Sequence, residues 1–200
     1  MAAVLSLVSS VASAQTAVEE KKATVFNEVE RGFYLGVNAG FWAVVNPPAA
    51  AGSKSYFSPG QAVQVEIGGD IGERVSVAAF FLATSNRMGS DYFGLNTQKT
   101  ASGDYGAIVP GATAKIRIVG FNDSQEVKRT WLYVRAQAGV MFYSPAGLKL
   151  PLDVLIGGGP GVEYFTRLRH FSVSLEANFN FMALTSSVGF SILPSVRYAF

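Results

Sequence analysis

The sequence predicts an all-β chain: an eight-stranded antiparallel up-and-down transmembrane barrel of the outer-membrane type. Three observations predict it. Segments of strand length alternate apolar and polar residues with period two, most clearly in Phe171–Phe181. Charged residues make up only 15% of the chain, against about 25% in an average globular protein. Compact polar connections alternate with long ones rich in Pro, Gly, Ser and Asn, the asymmetry of outer-membrane barrels.

The elements follow in order. Ala2 to Val11 form a short apolar run, and Ala12-Ser13-Ala14 is an A-x-A cleavage signal before Gln15, so residues 1–14 read as a signal peptide. No Lys or Arg precedes the run, so the usual basic start is missing. No stretch of about 18 apolar residues follows, so no transmembrane helix is expected. Residues 15–31 are charged and mixed and read as a periplasmic lead-in; residues 32–200 are the barrel.

The first strand, Gly32–Ala43, sets Phe33, Leu35, Val37, Ala39 and Phe41 against Tyr34, Asn38 and Trp42. The second, about Ala62–Gly69, opposes Val63, Val65 and Ile67 to Gln64 and Glu66. Val75–Ala83 is the third. The fourth, Tyr105–Ile118, sets Ile108, Ala112, Ala114, Ile116 and Ile118 against Thr113, Lys115 and Arg117. The fifth, Thr130–Tyr143, sets Leu132, Val134 and Ala136 against Tyr133, Arg135 and Gln137. Asp153–Phe165 is the sixth, Phe171–Phe181 the seventh and Val188–Phe200 the eighth. Pro110, Pro160 and Pro194 fall inside strands; Pro110-Gly111 and Pro160-Gly161 are expected to mark bulges.

The ionised residues on the polar parity are Glu66, Lys115, Arg117, Arg135, Glu163, Glu176 and Arg197; the apolar parity of the strands has none. A small barrel has room inside only for side chains, and a lone buried charge costs several kcal/mol. A nearly balanced set is therefore expected to point inward as a structural charge network, with the apolar face on lipid. Small residues on the inward face (Gly36, Gly40, Gly68, Gly139, Gly159) are expected to make room for Arg and Tyr. Outward aromatics are expected in two bands: Phe33, Tyr164, Phe171, Tyr198 and Phe200 at the turn side, and Phe41, Phe81, Phe142, Phe179, Phe181 and Phe190 toward the loops. The chain stops at Arg197-Tyr198-Ala199-Phe200, where Val196, Tyr198 and Phe200 resemble the C-terminal insertion signal of bacterial outer-membrane barrels. That resemblance implies the barrel-assembly machinery as a partner.

No catalytic, cofactor or metal site is expected. The absence of cysteine excludes disulfides and thiolate chemistry, and the net charge of +2 without a dense basic run gives no nucleic-acid footprint. Gly157-Gly158-Gly159-Pro160-Gly161 has no Lys and opens no helix, so it reads as a thin strand against a bulky lumen side chain. His170 lies in the basic turn Thr166–His170 on the periplasmic side, the wrong end for a lipid-modifying enzyme. Asp91, Asp104 and Asp153 lie in or beside outer loops, too scattered for calcium. Phe121–Glu126 is an unusually polar turn and a candidate docking site for a periplasmic partner.

Four segments together resemble one family: Val29–Val37, Asn46-Pro47-Pro48, Gly120–Gln125 and Tyr164–Phe171. They are similar to the outer-membrane β-barrel proteins of the adventurous gliding motility system in myxobacteria, within a general resemblance to small OmpA-like eight-stranded barrels. The resemblance implies a non-enzymatic component of a cell-envelope complex in gliding motility or surface adhesion. Its partners would be outer-membrane lipid and periplasmic or surface motility or adhesion proteins. Function is expected in the loops at 44–60 and 84–104 and the turn at 119–129, with both termini periplasmic. A narrow pore for small solutes is the alternative; a lipid-modifying enzyme and a soluble ligand-binding barrel stand behind it.

Overall fold

A computed structural model describes residues 29–46, 59–87, 104–144 and 152–200, with Asp104 and Tyr105 described by backbone alone. The expected signal peptide, most of the lead-in and the greater part of the two longest loops lie outside these residues. The described residues form eight strands and no helix: β1 (Phe33–Val44), β2 (Gly60–Ile71), β3 (Val75–Arg87), β4 (Asp104–Asn122), β5 (Lys128–Ser144), β6 (Leu152–Phe165), β7 (Phe171–Met182) and β8 (Ser187–Ala199). Each pairs antiparallel with the next, and β1 pairs with β8 from Tyr34 against Ala199 to Val44 against Gly189. The barrel therefore closes and leaves no edge strand.

The predicted fold class is the observed one. The strands run longer than predicted at several ends, β4 most of all, because pairing with a neighbour continues where the apolar-polar signal fades. Tight connections at Gly72–Arg74, Asp123–Val127 and Thr166–His170 share one end of the barrel with the start of β1 and the end of β8. This is the turn end. Gly72 has φ 67°, a left-handed conformation that glycine adopts without a Cβ penalty. The opposite strand ends, Val44 and Gly60, Arg87 and Asp104, Ser144 and Leu152, and Met182 and Ser187, form the other, loop end.

Alternation places one parity of every strand outward. Val37, Ile67, Val77, Ile116, Val134, Val173 and Ile192 all stand exposed around the wall, while the opposite parity is buried in the bore. The expected proline bulges are corrected. The prolines do not bulge: Pro110 pairs with Phe81, Pro160 with Val134 and Pro194 with Leu175 without any register shift. On the other side of each the pairs skip, from Ile108↔Phe142 to Gly111↔Gly139 for Pro110, with the register unchanged. The missing N–H is thus absorbed as a short gap in one ladder. The register shifts lie between β4 and β5 instead, at Phe121–Asn122 beside the turn and at Arg117–Val119, where Ile118 and Val119 both face outward at 54% and 43% exposure.

The aromatic bands need one correction. Phe33, Tyr164, Phe171, Tyr198 and Phe200 cluster at the turn end, and Phe41, Phe142, Phe179, Phe181 and Phe190 lie toward the loop end, but Phe81 stands at the midpoint of β3. The glycines also act differently from expectation. At Gly40, Gly68 and Gly159 an added Cβ would run first into neighbouring backbone oxygens. Room for large lumen rings comes from Gly161 beside Tyr133, Gly111 beside Phe80 and Gly120 beside Trp131.

Candidate functional site

The bore holds the chain's concentrated polar chemistry, in tiers. In the middle tier, β5 carries Arg135 inward between β2 and β7. Its Nη1 lies 2.6 Å from Glu66 Oε1 and donates to Glu176 Oε1 and Oε2 at 2.9 and 3.0 Å. Asn38 Nδ2 and Gln64 Nε2 also donate to Glu66 Oε1, at 2.8 and 2.7 Å. Tyr133 Oη and Asn178 Nδ2 donate to Glu176 at 3.1 and 3.0 Å. Both oxygens of Glu176 and the Oε1 of Glu66 thus meet donors, as burial of a charge demands.

The tier toward the turn end is built on Glu163 and Asp70. Arg117 Nε donates to Glu163 Oε2 at 2.7 Å, and its Nη1 and Nη2 donate to Asp70 Oδ1 at 3.2 Å each. Lys115 Nζ and Arg197 Nη1 each lie 3.6 Å from Glu163 Oε1, and Arg197 Nη2 is ion-paired with Asp70 Oδ2. The cations also stack on rings: Lys115 over Tyr133 at 4.3 Å and Arg197 over Tyr34 at 3.8 Å.

All seven ionised residues singled out in the sequence lie buried in the bore and in ion-pair contact with one another. Glu176 pairs with Arg135 and not with Arg197. Sequence reasoning missed the eighth member. Asp70 lies just past the predicted end of the second strand at Gly69, but β2 runs on to Ile71, and the inward parity of Gln64, Glu66 and Gly68 reaches it. With Asp70 the set is Lys115, Arg117, Arg135 and Arg197 against Glu66, Asp70, Glu163 and Glu176, four cations and four anions. Between the two tiers lies a cavity of about 10 Å³, the size of one water molecule.

The loop half of the bore corrects the expectation that ions alone plug it. Trp42, Phe80, Leu82, Val109, Met141, Leu155, Met182 and Leu193 form a buried apolar cluster there. Above it Asp153, expected at the start of the sixth strand beside an outer loop, is fully buried. Its Oδ2 accepts from Tyr143 Oη at 2.9 Å, and its Oδ1 accepts from the backbone N–H of Val154 and Leu184 at 2.7 Å each. It ties the β7–β8 turn to the rim. Asp91 lies outside the described residues, and Asp104 is described by backbone alone.

The turn end is also closed. Trp131 and Phe165 are buried, and Arg31 lies over both rings at 5.6 and 5.4 Å while pairing with Glu73 at 3.4 Å. His170 Nδ1 lies 2.8 Å from Ala199 O and 3.1 Å from Glu30 Oε2, and its ring stacks on Tyr198. Asp123 organises the β4–β5 turn. Its Oδ1 accepts from the N–H of Gln125 and Val127 at 2.8 and 3.2 Å, and its Oδ2 from Arg129 Nε at 2.8 Å. The Gln125 N–H, with Arg129 beside it, holds this carboxyl below the usual carboxylate range. Val196, Tyr198 and Phe200 face outward, and Tyr198 and Phe200 pack ring to ring at 5.0 Å. Three of the four segments that carry the family resemblance meet at this turn end; of the fourth, Pro47 and Pro48 lie outside the described residues.

No protein-family model matches the chain, and no curated protein sequence matches it significantly. Solved structures do. Neisserial surface protein A matches with a TM-score of 0.61 at 16% identity, over 84% of this chain and 97% of that one. Ail, the attachment invasion locus protein of Yersinia pestis, matches with a TM-score of 0.47 at 12% identity, over 86% and 100%. The outer membrane enzyme PagL matches with a TM-score of 0.42 at 9% identity, over 84% and 99%. At these identities the likeness is one of fold: the chain is an eight-stranded barrel of the outer-membrane kind.

Proposed function

We propose that this protein is a non-enzymatic outer-membrane barrel that anchors and displays binding loops as part of a cell-envelope complex for surface adhesion or gliding motility. The observation that carries the reading is the combination of an apolar outer wall with a filled bore. Hydrocarbon is the medium that suits exposed Val, Ile, Leu and Phe on every strand. A bore closed by an apolar cluster, two ionic tiers that together are neutral and an Arg31–Trp131–Phe165 floor suits a stalk for loops better than a conduit. The cavity of about 10 Å³ therefore weighs against the pore alternative. His170, engaged with Ala199 and stacked on Tyr198 at the turn end, reads as a structural histidine.

In this reading the turn end and both termini face the periplasm, Phe200 serves recognition by the barrel-assembly machinery, and the loops at 44–60 and 84–104 contact the surface partner. The motility role rests on the four resembling segments; a surface role is consistent with the Neisserial protein being named a surface protein. The test is deletion of the gene, scoring single-cell movement and surface attachment, with complementation by the wild type and by chains lacking either loop. Loss of either behaviour, restored only with the loops present, supports the proposal. Unchanged movement and attachment overturn it.

A further inference from the structure

We propose that the β6–β7 turn, Thr166–His170, is a binding site for the phosphate of an anionic phospholipid in the leaflet at the turn end. The inference rests on the reading of the outer wall as lipid-facing. Leu168 at the tip is 67% exposed, among the most exposed large apolar side chains described. Its exposure is imposed by a rigid frame. Thr166 N donates to Phe171 O at 2.9 Å, Phe171 N donates to Leu168 O at 3.0 Å, and Leu168 N donates to Thr166 Oγ1 at 3.2 Å. Arg129 Nη1 holds Thr166 O at 3.1 Å from the next turn. A turn pinned this way cannot fold its leucine back onto the protein, so the leucine needs an apolar medium outside it.

Two arginines flank that leucine. Arg169 Nε contacts Glu30 Oε2 at 2.8 Å, whereas Arg167 is exposed and has no ion pair among the described residues. The lip is thus net positive. Directly on the wall beside it, Phe171, Tyr198, Phe200 and Phe33 form a continuous outward aromatic chain, with ring centroids 5.1, 5.0 and 5.6 Å apart in sequence. Aromatic girdles mark the headgroup level of a bilayer. At that level Leu168 meets the acyl-glycerol layer, and the planar donors of Arg167 meet phosphate oxygens, which guanidinium recognises better than ammonium does. The other two tight turns repeat the theme more weakly: Ile71 with Arg74 and Phe121 with Lys128 each set one exposed apolar group near one basic group, with Glu73 or Glu126 close by in the same turn. The β6–β7 turn has two basic groups and no acid of its own, so it favours an anionic headgroup over a zwitterionic one.

The test uses the full chain in phosphatidylcholine nanodiscs with increasing phosphatidylglycerol, followed by native mass spectrometry of the lipid retained after transfer to detergent. The wild type is expected to retain phosphatidylglycerol over phosphatidylcholine. Arg167→Gln should lower that preference about fivefold, the effect of one basic group at an anionic surface, and Arg167→Lys should keep part of it. Leu168→Ser should lower retention of both lipids, and Arg87→Gln, at the far end of the barrel, should change nothing. Equal retention of the two lipids by the wild type, an Arg167→Gln preference unchanged from it, or displacement of the lipid by inorganic phosphate at matched ionic strength would each overturn the site. A chain that stays out of phosphatidylcholine discs overturns the membrane reading itself, and the site with it. A chain that inserts without preference overturns the site alone.

Discussion

Asp70 of β2 and Arg197 of β8 are ion-paired inside the bore although β1 lies between their strands. Asp70 is the residue that brings the ionic half of the bore to four cations and four anions. It also accepts from Ser76 Oγ at 2.5 Å and from both terminal nitrogens of Arg117, so one carboxylate pairs with two buried guanidinium groups. Its partners are themselves shared with Glu163, which links β2, β4, β6 and β8 across the barrel.

Removing that carboxylate should therefore be severe. Asp70→Ala leaves Arg117 and Arg197 partly uncompensated in the bore and should cost about 3–5 kcal/mol, the usual penalty for breaking a buried pair from one side. Urea unfolding in lipid vesicles, followed by the fluorescence of the buried Trp42 and Trp131, measures it. A cost below about 1 kcal/mol, the value of an exposed pair, would mean that water reaches the lumen ions freely.

The apolar cluster of the loop half makes a separate prediction. Trp42→Ala removes a fully buried ring from the cluster that includes Met182 and Leu193 and should cost about 3–5 kcal/mol through lost burial and the cavity left behind. It should not open the barrel to ions, because the ionic tier closes the bore below it. Planar-bilayer recording should show no steady openings for either the wild type or this variant; reproducible openings in the wild type would restore the pore alternative.

Gly161 and Tyr133 test the packing of the middle tier. A Cβ on Gly161 would collide with the Tyr133 phenol ring, whose hydroxyl donates to Glu176 at 3.1 Å. Gly161→Ala should cost about 1–3 kcal/mol as an overpacked site. In a Tyr133→Leu background the same change should cost far less, and a double-mutant cycle from melting curves would read the difference. Additive effects would contradict the contact.

Acid should loosen the β4–β5 turn before the barrel. The folded Asp123 carboxyl is held below its unfolded value, chiefly by the Gln125 N–H and then by Arg129. The sign follows from that direction: the stabilisation is complete above the ordinary Asp value of about 4 and is lost as pH falls through the lower folded value. Amide hydrogen exchange at Gln125 and Val127 should speed up in that window relative to the β5 ladder. Asp123→Asn should show the fast exchange already at neutral pH and lose the acid response.

Much of this was legible in the chain. In β7 the alternation from Phe171 to Phe181 is complete, and the structure exposes Phe171, Val173, Leu175, Phe179 and Phe181 while burying Ser172, Glu176, Asn178 and Asn180. It was least legible in the loop halves of β3 and β5, where inward Phe80, Leu82 and Met141 are as apolar as outward Phe81 and Phe142, so alternation has no sign to read. Asp70 falls outside the predicted second strand because the period-two signal runs out there before the pairing does, and the burial of Asp153, at the predicted start of β6, has no local signal. At Ile118–Val119 the parity itself breaks, since a bulge inserts a residue that no local pattern announces.

The sequence by itself determined the strand count, the fold class and the side of the wall on which most side chains lie, because a strand's two-residue repeat is a property of its own backbone. Only the tertiary structure decided which inward groups meet. Asp70 and Arg197 are 127 positions apart, and their contact depends on the register of every ladder between them. The division of the bore into an apolar half and a neutral ionic half depends likewise on how eight strands together fill one narrow volume, a quantity that no single segment contains.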